Sequence, residues 1–149
     1  MAADTASVLI AAPAPTVFDF MSDPSRLDLW SFGTWKIEVQ PDGLVCGHSL
    51  QTGDQIWVRI VADPETGLID YCLGGRPDAL APRIFARIVS GDVTGHGSDH
   101  STLTLTAVRT ADMDDDRWDR MVRAHAFEVD VVKALIETGH DHRMRRDAN

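Results

Sequence analysis

Apolar and polar positions alternate through the middle of the chain and then recur at helical spacing near its end, which predicts a block of strands followed by one long helix. Thr34 to Gln40 sets Trp35, Ile37 and Val39 against Lys36, Glu38 and Gln40. Pro41-Asp42-Gly43 makes a three-residue hairpin turn with glycine at the left-handed position. Leu44 to Leu50 is the next strand, closed by a tight turn at Thr52-Gly53. Gln55 to Ala62 follows and ends in the four-residue loop Pro64–Gly67. Leu68 to Leu73, a longer loop from Gly74 to Pro82, and a hairpin of Arg83 to about Val93 with Ser101 to Arg109 complete the block.

The turns set the register, and the register sets the faces. The first turn places Val39 opposite Val45 and Trp35 opposite Ser49. A two-residue second turn places Ser49 opposite Ile56 and Gly47 opposite Val58. The four-residue loop places Val58 opposite Leu73 and Ile60 opposite Tyr71. One face then collects Trp35, Ile37, Val39, Val45, Gly47, Ser49, Ile56, Val58, Ile60, Ile69, Tyr71 and Leu73. Being almost wholly apolar, it is the expected inner, concave face. Alternation alone continues it through Ile84, Ala86 and Ile88 and through Leu103, Leu105 and Ala107. The other face carries Lys36, Glu38, Cys46, His48, Trp57, Arg59, Asp70 and Cys72.

Before this block, Val8 to Ala12 reads as a strand. Pro15 suits the first turn of a helix, where its missing N–H would be unpaired anyway. Asp23-Pro24 repeats the device as N-cap acceptor and first helical residue, so a second short helix runs to Trp30. After the block, Asp112 can cap a helix that Asp114 to Asp116 favour through its dipole and that Gly139 ends. At ~1.5 Å per residue it spans roughly 38 Å, enough to cross a sheet. Trp118, Met121, Val122, His125, Val129, Val132 and Ile136 form its apolar stripe, with His125 the one polar member. Phe127 falls on the opposite side, among Arg120, Arg123 and Asp130.

Strand, paired short helices opened by prolines, antiparallel strands and a long final helix together resemble the helix-grip fold of the START-like, polyketide cyclase/dehydrase (SRPBCC) superfamily. The resemblance implies an α+β architecture in which about seven antiparallel strands curve around the C-terminal helix. It implies a cavity between sheet and helix that takes a hydrophobic or amphipathic small molecule. Relatives include carriers, polyketide aromatase/cyclases and co-chaperone-like ATPase activators. No catalytic motif is shared residue by residue. The oxygenase branch needs a two-His, one-carboxylate iron site and a Rieske domain, and neither is visible here.

With 149 residues, 44% hydrophobic and 25% charged, the chain reads as a single START-like domain over 1–149 with a core of its own. A net charge of −9 argues against a nucleic-acid surface. The basic run Arg143-Met144-Arg145-Arg146 reads as a solvated end. No apolar run approaches the ~20 residues of a membrane span. Met1 to Pro15 lacks Lys and Arg and is broken by prolines, so no signal peptide is expected and a cytoplasmic location is. Cys46 and Cys72 both flank Arg59 in this register. Their Cα atoms would lie ~9.5 Å apart across two strand spacings, beyond the ~7 Å disulfide limit, so both should be free thiols.

Candidate chemistry is sparse. His125 and Tyr71 both project toward the interior, where they could exchange protons or fix a ligand's polar end, or serve merely as satisfied core residues. Trp30, Trp35 and Tyr71 could wall a planar ligand, although any core uses aromatics. His96-Gly97-Ser98-Asp99-His100 offers metal donors on a solvated hairpin tip, where convergence is not expected, and His140-Asp141-His142 offers less. No Ser or Cys has a triad-like His/Asp neighbour. Arg59 and Asp70 read as a surface ion pair. The leading expectation is a small-molecule binding protein with Trp30, Trp35, Ser49, Val58, Tyr71, Met121 and His125 around its cavity, without metal or cofactor. The alternatives are a cyclase or dehydratase using His125 and Tyr71, and an interaction module or homodimer using His48, Trp57 and Arg59 or Phe127.

Overall fold

A computed structural model describes residues 2–143. Seven antiparallel strands form one sheet: β1 (Ala3–Ile10), β2 (Trp35–Val39), β3 (Val45–His48), β4 (Gln55–Asp63), β5 (Leu68–Gly74), β6 (Ala81–Ser90) and β7 (Ser101–Val108), in the spatial order β1-β7-β6-β5-β4-β3-β2. The helices are α1 (Ala14–Ser22), α2 (Leu27–Trp30), the single turn α3 (Gly91–Thr94) and α4 (Asp115–Thr138). The long helix α4 lies along β1 and β7 and touches α2. This is the α+β helix-grip arrangement that the resemblance implied.

Local chemistry accounts for the element ends. Pro15 sits in the first turn of α1, and Asp23 accepts from the Ser25 backbone N–H at 2.9 Å to open a 3-10 turn at Pro24–Arg26 that leads into α2. Asp114, two residues after the expected Asp112, caps α4 by accepting the Arg117 N–H at 2.7 Å. Asp112 instead accepts the Thr110 hydroxyl. Gly139, at φ 68°, closes α4 with its N–H on the Leu135 carbonyl. The strand expected to reach Val93 stops at Ser90, whose hydroxyl accepts the Asp92 N–H and caps α3.

Most of the expected register stands. Val39 faces Val45, Val58 faces Leu73 and Ile60 faces Tyr71. Ile84, Ala86 and Ile88 face Ala107, Leu105 and Leu103, which carries the inner face on to β7. Between β3 and β4 the register differs by two residues, with Gly47 facing Ile56 and Val45 facing Val58. The connection is a loop from Ser49 to Asp54: the Ser49 hydroxyl accepts the Gln51 and Thr52 N–H groups, and the Thr52 hydroxyl accepts that of Asp54. These side-chain bonds compete with the ladder and widen the turn. A shift of two preserves the faces but not the partners. Cys46 therefore faces Trp57, and only Cys72 faces Arg59; both thiols are unpaired. Arg59 pairs with Asp42 at 3.0 Å and not with Asp70.

The edge strand β2 departs further. A bulge lies between Trp35 and Glu38, and Lys36 adopts φ 49°, which inverts the alternation. Trp35 consequently faces His48 on the outer side, 39% exposed, with the Lys36 ammonium 5.0 Å from its ring centre. Its expected place in the cavity wall is thereby corrected. Of the basic run at the C-terminus, Arg143 is not merely solvated but pairs with Asp28 at 2.8 Å and Asp141 at 2.9 Å. Residues 144–146 lie outside the described residues.

Candidate functional site

The curvature of the sheet leaves a cavity of about 400 Å³ beneath the N-terminal half of α4. The size is within the usual range for small-molecule sites. Ile56 of β4, Leu73 of β5, Ile84 of β6 and Val108 of β7 supply its apolar sheet side. Phe32 to Thr34 and the β3–β4 loop border it, and α4 contributes Met121, Ala124, His125 and Glu128.

The seven residues expected around a ligand do not converge. Ser49, Met121 and His125 line the cavity. Trp30, Val58 and Tyr71 are buried in the core and absent from the lining, and Trp35 is on the outer face. Tyr71 donates its hydroxyl to the Met21 carbonyl at 2.6 Å, and Trp30 meets its ring edge-on at 5.7 Å between centroids. A proton exchange between His125 and Tyr71 is therefore replaced by a structural role for the tyrosine. Burial, with a contribution from the Glu128 charge, holds the phenol above its ordinary pKa.

Glu128 is the residue the sequence reading passed over. It lies three positions beyond His125, and both are only 4% exposed. The buried face of α4 runs through Trp118, His125, Glu128, Val129, Val132 and Leu135. It is rotated from the expected stripe toward Glu128 and Leu135. The signal was available: Glu128 stands one turn before Val132 and one turn after His125.

Both groups titrate far from their ordinary values. Burial lowers His125 to about 4, partly opposed by the Asp4 charge. Burial raises Glu128 to about 8, partly opposed by a hydrogen bond from the Phe32 backbone N–H. At neutral pH the imidazole is thus uncharged and the carboxyl protonated. His125 Nδ1 is enclosed without a hydrogen-bond partner among the described residues. A buried unsatisfied polar atom is uncommon enough to call for an explanation.

The other candidates stay local. His96 Nδ1 lies 2.8 Å from the Thr94 hydroxyl, and His100 Nδ1 pairs with Asp99 at 2.9 Å. His142 contacts the Leu29 carbonyl at 2.9 Å. Among the described residues no three His, Cys, Asp or Glu side chains converge as metal donors. Trp57 is half-buried on the outer face, while Phe127 is 58% exposed and stacked on Phe32. No described helix is long and apolar enough to cross a membrane.

No protein-family model matches the chain, and no curated protein is significantly similar to it. Solved structures do share its architecture. The Zhui aromatase/cyclase from Streptomyces sp. R1128 is 19% identical, with 95% of this chain and 96% of that one covered at a TM-score of 0.65. A START superfamily protein from Mycobacterium smegmatis is 15% identical over 94% and 100% of the two chains, with a TM-score of 0.65. The Aha1 dimer from Colwellia psychrerythraea is 12% identical over 95% and 100%, with a TM-score of 0.67. The chain thus shares the helix-grip fold of these structures. Identities this low speak to the fold and not to a shared activity.

Proposed function

We propose that the chain binds a small hydrophobic or amphipathic molecule in the cavity under α4, with Ser49, Met121, His125 and Glu128 among its contacts. The observation that carries this reading is the ~400 Å³ cavity with an apolar sheet side, lined on α4 by a neutral histidine and a neutral carboxyl. A concave site that joins an apolar wall to placed polar groups suits an amphipathic ligand. Trp30, Val58 and Tyr71 support it from the core. Native mass spectrometry of the purified protein, with a thermal-shift panel of lipids and aromatic metabolites, tests it. A retained adduct or a ligand that raises Tm is expected, and Met121→Trp, which fills the cavity, should abolish either. A panel without effect counts against the reading.

A cyclase or dehydratase reading is favoured by one observation, the opposite displacement of the His125 and Glu128 pKa values. A neutral imidazole can accept a carbon-bound proton while a protonated carboxyl donates to the carbonyl oxygen, giving an enol, an imidazolium and a carboxylate. Solvent deuterium incorporation into a cyclic β-diketone, measured by NMR, checks this. Wild-type acceleration lost in both His125→Gln and Glu128→Gln supports it; equal rates in all three proteins exclude it.

A further inference from the structure

Three arginines line the same cavity in a chain whose net charge is −9. Arg117 lies in the first turn of α4, where the helix dipole disfavours a cation, and Arg120 lies in the next turn. The dipole therefore does not explain the placement of Arg117. Arg83 reaches the cavity from β6. It is half-buried and makes no hydrogen bond or ion pair with another described side chain. Burial and the neighbouring Arg117 charge both disfavour its charged form, with Asp112 only partly compensating. Arg117 reaches Asp112 at 3.4 Å, and Arg120 has no ion pair among the described residues. The remaining acidic groups on the lining are Asp54, from the β3–β4 loop, and the protonated Glu128.

A partly desolvated guanidinium beside a second cation is unfavourable until an anion joins it. The α4 stripe also has a direction. Arg117, Arg120, Met121, Ala124, His125 and Glu128 fall at i, i+3, i+4, i+7, i+8 and i+11, with cations at one end and the neutral polar pair at the other. At ~1.5 Å per residue, Arg120 and Glu128 are about 12 Å apart along the axis. Met121 and the apolar sheet residues occupy the interval.

We propose that the cavity selects amphipathic anions, a carboxylate or phosphate held by Arg83, Arg117 and Arg120 with the apolar body directed along α4 toward His125 and Glu128. This rests on the ligand-binding reading and names the ligand class. A carboxylate and a phosphate share this chemistry, since guanidinium forks match both.

Titration calorimetry of the full chain with decanoate, decyl phosphate and decanol tests it. At least one of the two anions should bind about tenfold or more tightly than decanol, as a hydrogen-bonded charge pair would give. Whichever anion is preferred identifies the head group. Arg120→Gln and Arg83→Gln should each shrink the anion-to-decanol ratio severalfold. Arg120 is exposed, so its variant keeps the test open even where Arg83→Gln fails to fold. Equal affinity for decanol and both anions, or an anion preference that Arg120→Gln and Arg117→Gln leave intact, overturns the proposal while the ligand-binding reading stands. Failure of all three probes to bind overturns both.

Discussion

The Tyr71 hydroxyl donates to the Met21 carbonyl at 2.6 Å, tying the centre of β5 to the end of α1. Burying a phenol requires a partner, and the last turn of α1 offers an acceptor that α4 does not supply. The bond makes Tyr71 a brace within the core and keeps its phenol out of the cavity lining. It also fixes α1 over the sheet, so that α2 and Phe32 arrive beside Glu128.

Tyr71→Phe leaves the Met21 carbonyl without this donor in a buried place. The expected cost is about 1–3 kcal/mol, with Tm lowered by about 2–4 °C per kcal/mol for a chain of this size. Urea unfolding should show a lower midpoint at unchanged m. Probe affinity at the cavity should hardly move, because the ring stays in place. An affinity loss larger than the stability loss would return Tyr71 to the site.

His125 and Glu128 give stability a defined pH dependence. Glu128 is raised from 4.5 to about 8, so between these values the folded chain holds a proton that the unfolded chain releases, and stability falls as pH rises. His125 is lowered from 6.5 to about 4, so between these values the unfolded chain holds the extra proton, and stability rises with pH. The two slopes oppose each other from 4.5 to 6.5, and only that of Glu128 remains from 6.5 to about 8. In that upper window the pair predicts a decline of about 1.4 kcal/mol per pH unit. Glu128→Gln should flatten it. Chemical denaturation of both proteins at half-unit pH steps gives the comparison.

Much of this architecture was legible in the sequence because turn chemistry is local. Pro41-Asp42-Gly43 and Pro64–Gly67 each put glycine at a positive φ, at Gly43 and Gly67, and the pairings they specify are found. The Ser49–Asp54 loop deceived because Ser49 and Thr52 bind backbone N–H groups within it, an outcome that alternation cannot reveal. Trp35 was misplaced by one left-handed residue, Lys36. The site was less legible than the fold. Which polar residue of an amphipathic helix is buried depends on a rotation of the helix that only its packing decides, and that rotation brought in Glu128.

Gly47 has a packing role beside the site. A Cβ there would stand 2.8 Å from Thr34 Cγ2 and 3.1 Å from the Trp35 carbonyl oxygen. Thr34, itself buried and on the cavity lining, occupies the space a side chain would need. Gly47→Val should cost about 1–3 kcal/mol by overpacking and push β2 away from β3. Hydrogen exchange should show faster opening in Trp35–Val39 than in β5 or β6, whereas uniform loss of protection would indicate a general loss of stability.

Phe127 stacks on Phe32 with centroids 5.8 Å apart and planes 14° from parallel, although it is more than half exposed. A single exposed aromatic does not by itself mark a contact with another molecule, and here the ring has a partner within the chain. Phe32 lines the cavity together with Glu128, so the stack holds a piece of the cavity border in position. Phe127→Ala should cost about 0.5–1.5 kcal/mol in stability from the lost pair. It should also weaken binding of an amphipathic probe such as anilinonaphthalene sulfonate severalfold, because Phe32 is freed. Light scattering at micromolar protein should give the same molar mass for variant and wild type. A mass that falls in the variant, with probe affinity unchanged, would place Phe127 in a contact between copies of the chain instead.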